Sequence, residues 1–153
     1  MPVEVCFQPL SAPNFKDHDG SRTYMLTDQG FKRTNEINHL VFERFWCQNY
    51  TIPEGGNTSQ IAPLIQGPLI GIVSRDHEWV ISPVSLSGFP FRLFNNWEYS
   101  CIHSNPRVPL AVGGRRRVKK RLYFLRGNLD TLVARYEADT GKPLDPKFRH
   151  GEP

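Results

Sequence analysis

The sequence predicts an α+β protein: an antiparallel β meander covered by one helix, with a C-terminal helix and extended terminal arms. Three observations predict this class. The middle of the chain alternates apolar and polar residues between turn residues, as half-buried strands do. Residues 34–48 and 129–139 instead have apolar residues at helical spacing. Finally, the 13 Pro and 12 Gly favour turns and extended segments over long helices.

The length of 153 residues is that of one domain, and we expect residues 1–153 to form a single α+β domain. Residues 1–20 are expected to be its N-terminal arm and residues 142–153 its C-terminal arm, because both are rich in turn residues and lack a helical period. A composition of 39% hydrophobic and 22% charged residues is typical of a globular chain.

The first predicted helix spans about residues 34–48 and has Thr34 or Asn35 as its N-cap. Four apolar residues recur at spacings of three and four and define one face: Ile37, Leu40, Val41 and Phe45. An apolar face of this width is typical of a helix that lies across a sheet. We therefore expect this helix to cover the meander.

Two β hairpins are predicted in the middle of the chain, after short strands at residues 3–8 and 22–26. The first hairpin joins residues 69–73 to residues 79–82 through a loop at 74–78.

The second hairpin is predicted to join residues 91–94 to residues 97–102. The Asn-Asn pair between them forms the turn, because asparagine tolerates the positive φ that a type I′ turn requires. This register pairs Phe94 with Trp97 across the two strands.

Two interpretations compete for the chain after Gly114. In one, residues 118–126 form a strand that a Gly-Asn turn connects to the C-terminal helix. In the other, residues 115–139 form one long helix. We favour the strand, because four successive large apolar residues are typical of a strand and a Gly-Asn pair is unfavourable inside a helix.

The C-terminal helix over residues 129–139 is predicted in both interpretations. Leu129, Leu132 and Tyr136 give it one apolar face. Asn128 or Asp130 begins the separate helix. Gly141 is expected to end it.

Positive charge is concentrated in one stretch of the chain. Residues 107–126 hold eight of the 19 Lys and Arg and none of the 15 Asp and Glu, so the rest of the chain has 11 bases against 15 acids. Such segregation produces a local field that attracts polyanions whatever the net charge of the whole chain, here +4. This stretch is the first candidate for a binding site.

The predicted binding residues are the cations of this stretch and one aromatic residue among them. They are Arg107, Arg115, Arg116, Arg117, Lys119, Lys120, Arg121, Tyr123 and Arg126. Lys and Arg supply phosphate contacts, and an aromatic ring stacks on bases. The same cations suit an acidic protein surface, or they protect a solvated sheet edge from aggregation. The predicted partners are nucleic acid or an acidic protein surface, together with other protein subunits.

Enzyme signatures are sparse, and no catalytic residue, metal or cofactor is predicted. The chain lacks a P-loop and the motifs G-x-G-x-x-G, G-x-S-x-G and H-E-x-x-H. Two short groups of residues leave metal binding or nucleophilic catalysis open. Asp76-His77-Glu78 places metal-ligand types in one loop, and Cys101-x-His103 places a thiol and an imidazole on one face of a strand.

The cysteines and the lack of a long apolar run indicate the cellular compartment in which the protein is expected. Cys6, Cys47 and Cys101 are odd in number and form no CxxC pair, so we expect reduced thiols. No apolar run approaches the roughly 20 residues that span a bilayer, and the first residues lack the pattern of a secretory signal. We expect no membrane contact, and a location in the cytoplasm or in a particle assembled inside the cell.

Together these features favour a non-enzymatic structural or assembly subunit of a larger particle, such as a virion, a phage or a ribonucleoprotein. Its basic segment would contact nucleic acid or an acidic partner. Segregated charge, proline-rich arms and missing catalytic motifs support this hypothesis. Two alternatives remain open: a small metal-dependent nuclease, and a free-standing protein inhibitor or adaptor.

Overall fold

A computed structural model describes residues 6–9, 11–36, 47–51, 65–86, 90–106 and 108–144, with only the backbone of residues 47–51, 65–66 and 90–92. The described residues form eight strands, one short 3-10 helix (Pro13–Phe15) and one α-helix. The strands are β1 Thr23–Thr27, β2 Gly30–Arg33, β3 Cys47–Thr51, β4 Ile65–Val73, β5 Trp79–Ser85, β6 Pro90–Asn96, β7 Cys101–Pro106 and β8 Lys120–Arg126, and the helix is α1 Leu129–Thr140. Neither helix of the described ranges has the length and apolarity that crossing a bilayer requires.

The strands form two antiparallel sheets. The larger sheet has the order β2-β1-β4-β5-β8, and the smaller has the order β3-β6-β7. All neighbouring strands of the described residues run antiparallel. The antiparallel α+β class is therefore confirmed in outline, but two sheets replace the predicted single meander.

The central strands explain the second sheet, because they are apolar on both faces. Consecutive side chains of a strand point to opposite faces, and Leu69 and Ile70 accordingly lie in different cores. One core lies between the large sheet and α1 and includes Leu69, Val80, Leu132, Val133 and Tyr136. The other lies between the two sheets and includes Met25, Ile70, Ile72, Ile81, Leu93 and Ile102. The large sheet is thus the middle of three layers.

The C-terminal elements follow the favoured interpretation, and a single helix over residues 115–139 is excluded. β8 ends at Arg126, and Gly127 then adopts a φ of 131° that a helix does not allow. The Asn128 side chain accepts hydrogen bonds from the backbone N–H groups of Asp130 and Thr131, at 3.1 and 3.2 Å. Gly141 ends α1 with a φ of 65°, as predicted for a glycine cap.

The first predicted hairpin is confirmed. β4 and β5 pair with Ile72 opposite Ile81, and residues 74–78 connect them. His77 has a φ of 60° in this loop, and the Asp76 carboxylate accepts the backbone N–H of Glu78 at 3.0 Å.

The predicted register of the second hairpin is wrong. Its turn is residues 97–100, and Phe94 lies opposite His103, not opposite Trp97. Asn95 belongs to β6, where its buried side chain accepts the Thr34 hydroxyl at 3.0 Å and donates to the Cys101 carbonyl at 3.0 Å. Because the interior satisfies this amide, it is not free to form a turn.

The first predicted helix, residues 34–48, falls mainly on residues 37–46, which lie outside the described part of the chain. Its predicted bounds are wrong at both ends. Residues 34–36 form a turn, and residues 47 and 48 belong to β3.

The N-terminal residues that the structure describes are packed against the fold. Phe7 pairs with Ile102 in an isolated antiparallel bridge, and Phe15 is buried. The Asn14 carbonyl accepts the backbone N–H of Arg75 at 2.8 Å. Leu144 packs on the helix-side core, whereas residues 145–153 of the predicted C-terminal arm lie outside the described part.

Candidate binding interface

The basic stretch begins in a loop and ends in an edge strand. Residues 108–119 belong to no strand or helix, and β8 follows from Lys120. β8 is the last strand of the large sheet, and within the described ranges its ladder partner is β5. The stretch therefore lies at one border of the sheet, where a partner can approach it.

A tight turn precedes the cationic residues. The Gly114 N–H donates to the Ala111 carbonyl at 2.9 Å, and Gly113 between them has a φ of 74°. This is the conformation of a type II turn, which favours glycine at its third position. A side chain on Gly113 would meet no atom within 4 Å, so the turn faces open space. We call residues 111–119 the basic loop.

Three adjacent arginines of the basic loop are available to a partner. Arg115, Arg116 and Arg117 are exposed, and within the described part of the chain they have no ion pair or hydrogen bond. Lys119 is exposed as well, and its carbonyl accepts the Leu86 N–H at 2.9 Å. The loop is therefore anchored at its end while its cationic groups face solvent.

Other predicted site residues already have partners within the chain. Arg121 forms an ion pair with Asp139. Arg126 lies 3.5 Å from a carboxylate oxygen of Glu78, and the Lys120 ammonium lies 3.5 Å from the Asn105 side-chain oxygen. Arg107 lies outside the described residues. The strongest unneutralised charge is thus in the basic loop and not along the whole of β8.

Tyr123 is placed in the core and not on the surface. The residue is 3% exposed, and its hydroxyl donates to Asp139 at 2.9 Å. Burial and the neighbouring Asp139 carboxylate raise the pKa of the Tyr123 hydroxyl. The exposed aromatic ring of β8 is Phe124, 56% exposed, which stacks on Trp79 with ring centroids 5.0 Å apart. A buried Tyr123 offers no face to a nucleic-acid base.

Asp139 joins the end of α1 to β8. Its carboxylate accepts hydrogen bonds from the Tyr123 hydroxyl and from the guanidinium groups of Arg121 and Arg135. These three donors lower the pKa of the Asp139 carboxyl from 3.8 to about 2. The sequence showed the cations but gave no indication of this acceptor, which lies 18 residues from Arg121.

The Asp139→Asn substitution should lower the free energy of unfolding at neutral pH, because the amide cannot neutralise Arg121 and Arg135. A carboxyl whose pKa is lowered by folding stabilises the fold above its unfolded value of 3.8, and the contribution disappears as the pH falls through about 2. Urea unfolding of both proteins across this range should show the difference shrinking toward pH 2. A difference independent of pH would contradict the role given to this carboxylate.

The Asp76-His77-Glu78 group has a structural use in its loop. The Asp76 carboxylate accepts hydrogen bonds from the Ser74 hydroxyl, the Glu78 N–H and the Asn14 amide, which lower its pKa to about 2. Glu78 faces Arg126. Within the described residues this group is not among the side chains that converge as metal ligands.

Cys101 and His103 do share one face of β7, as predicted. The Cys101 sulfur lies 3.1 Å from His103 Nε2, and both side chains are buried. The Phe94 ring meets the imidazole edge to face at 4.9 Å. Sequence reasoning missed Cys6, which the Phe7–Ile102 bridge brings to the same face.

Comparisons of this chain with protein-family models, with curated proteins and with solved structures found no match. Its functional interpretation therefore depends on the geometry and chemistry of its own residues.

Proposed function

We propose that this protein is a non-enzymatic subunit of a larger assembly and that its basic loop binds nucleic acid. The observation that supports this most directly is the set of three adjacent exposed arginines, Arg115 to Arg117, which have no partner among the described residues. Uncompensated charge of this density attracts polyanions over a distance of about 10 Å at 0.1 M salt.

The closely spaced guanidinium groups of the basic loop suit a phosphate backbone as the ligand. In an extended chain, alternate residues are separated by about 6.6 Å, which is close to the spacing of successive phosphates along a strand. Guanidinium groups bind phosphate oxygens through two parallel hydrogen bonds. Because these contacts do not identify bases, the proposed binding is independent of nucleotide sequence.

An acidic protein surface is the second candidate, favoured by exposed apolar side chains near the arginines. Leu110 precedes the turn of the basic loop and Val112 lies within it, and both are exposed. Leu122 and Phe124 are exposed on β8. Protein interfaces combine an apolar centre with a polar rim, whereas a phosphate backbone makes no use of aliphatic groups. Either partner agrees with a subunit that acts in the cytoplasm or in a particle assembled there.

The nuclease alternative receives less support from the described residues. The Asp76 carboxylate accepts a hydrogen bond within its own loop, and the Glu78 carboxylate pairs with Arg126. Among the described residues, neither carboxylate converges with a third acidic group. A metal-dependent nuclease needs acidic ligands that face the bound phosphate.

Binding to a duplex oligonucleotide, a single strand and a polyglutamate peptide at several salt concentrations tests the proposal. Three contacts from Arg115, Arg116 and Arg117 predict slopes of log K against log salt of about −2.7 for duplex and about −2.1 for single strand. Fluorescence anisotropy provides the measurement. Absence of oligonucleotide binding at the lowest salt would eliminate the nucleic-acid proposal, and binding to polyglutamate alone would favour the acidic protein.

A further inference from the structure

We infer that Cys6, Cys101 and His103 form a binding site for a Zn²⁺ ion. The Sγ atoms of the two cysteines and a ring nitrogen of His103 all lie within 4.8 Å of one another. Residues of these types are the ordinary ligands of zinc in proteins. The site is separate from the basic loop, and the inference does not depend on the proposed function.

The backbone explains why the three side chains converge. Phe7 and Ile102 are paired antiparallel, with the Ile102 N–H donating to the Phe7 carbonyl at 3.0 Å. Antiparallel pairing places the next residue back, Cys6, opposite His103, and alternation along β7 places Cys101 on the same face. Phe7 and Ile102 both face the core between the sheets, so the three ligands share the opposite face.

The distances between the ligand atoms suit tetrahedral zinc coordination after a small movement of the side chains. Zinc binds sulfur at about 2.3 Å and nitrogen at about 2.0 Å, so its ligand atoms lie about 3.5–3.8 Å apart. The Cys101 sulfur and His103 Nε2 are 3.1 Å apart, so an ion between them requires these two atoms to separate by about 0.4 Å. Cys6 is exposed and can supply the remaining movement by rotation of its side chain. Three protein ligands leave the fourth tetrahedral position to water or another donor.

Burial favours metal binding over the other chemistry of a Cys-His pair. The Cys101 thiol is buried, so a substrate cannot reach it as a nucleophile without opening the fold. A small ion, by contrast, can approach from the side of Cys6, which is exposed. Two sulfur ligands and one imidazole also favour zinc over magnesium or calcium, which prefer oxygen.

Metal titration of the reduced 153-residue chain tests this site, with Cys6→Ser as the main variant. Cys101 and His103 are buried and their substitution endangers the fold, whereas Cys6 is exposed. Gln8→Ser is the matched control, because Gln8 is an exposed residue of the same segment that offers no soft ligand. Co²⁺ serves as the spectroscopic probe, and competition with a chelator gives the Zn²⁺ affinity.

We expect one Zn²⁺ per chain, a rise in melting temperature with added Zn²⁺, and sulfur-to-cobalt charge transfer with the Co²⁺-loaded protein. Cys6→Ser should weaken Zn²⁺ binding at least about tenfold, since even changes outside the ligand shell cost about 10–100-fold. Gln8→Ser should bind as the wild type does. The inference is overturned by absence of sulfur-to-cobalt charge transfer, by equal Zn²⁺ affinity of Cys6→Ser and wild type, or by a Cys6–Cys101 disulfide that persists in reductant and prevents binding.

Discussion

Replacing Arg115, Arg116 and Arg117 together with Ala is expected to lower the affinity for duplex DNA by roughly 10²–10³-fold at 0.1 M salt. Each lost phosphate contact reduces the slope of log K against log salt by about 0.9, so three contacts account for about 2.7. The fold should be unaffected, because these side chains are exposed and have no partner in the described residues. Anisotropy titrations at several salt concentrations, with circular dichroism to verify folding, provide the measurement.

A second triple variant separates the basic loop from the general charge of the protein. Lys16, Arg75 and Lys142 are exposed residues outside the basic loop, and alanine at these positions removes the same total charge. The hydrogen bonds recorded for these residues use backbone atoms, which alanine retains. This control should keep most of the salt slope. Equal losses in both variants would show that binding depends on net charge and not on the loop.

Replacing Leu132 with Ala is expected to destabilise the protein by about 2–5 kcal/mol, the usual cost of removing a buried leucine side chain. Leu132 is 0% exposed at the centre of the core between α1 and the large sheet. It lies directly over Gly71, where an added side-chain carbon would come within 3.3 Å of its methyl group. Leu132 thus packs closely on the strand backbone, and its truncation should leave a cavity there.

Leu122→Ala is the matched control for this stability prediction, because Leu122 is 48% exposed on β8. Surface substitutions of this kind usually change the free energy of unfolding by less than about 0.5 kcal/mol. Urea unfolding of both variants gives the comparison. Similar effects of the two substitutions would indicate that α1 does not pack on the sheet through Leu132.

Elements specified by neighbouring residues were predictable from the sequence. Asn128 and Gly141 lie at the ends of α1, and their cap geometry depends only on residues within one turn of the helix. The loop at residues 74–78 is also largely local, because Asp76 accepts the Ser74 hydroxyl and the Glu78 N–H. From a distant part of the described chain, Asn14 also bonds it.

Elements specified by distant residues were not predictable. The Asn95-Asn96 pair is typical of a turn. In the fold, the Asn95 side chain instead bonds the Thr34 hydroxyl, 61 positions earlier, and the Cys101 carbonyl, and Asn95 lies within β6. The alternation in the sequence is typical of half-buried strands, and it does not show that the central strands are covered on both faces. The large sheet with its two cores therefore could not be distinguished from a single meander.

The same limit applies to the candidate sites. The sequence located the basic stretch, since charge density needs no knowledge of the fold. It could not show that Tyr123 faces α1 while Phe124 faces solvent, because alternation separates the two faces without identifying them. Nor could it show that Cys6 meets Cys101, because the Phe7–Ile102 bridge joins residues 95 positions apart.

The position of the large sheet between two layers should make unfolding cooperative. Strands β1, β4 and β5 supply side chains to both cores, so loosening either outer layer removes support from the same backbone. We expect the helix and the smaller sheet to be lost in one cooperative transition, with the amide hydrogens of β4 exchanging with solvent deuterium last.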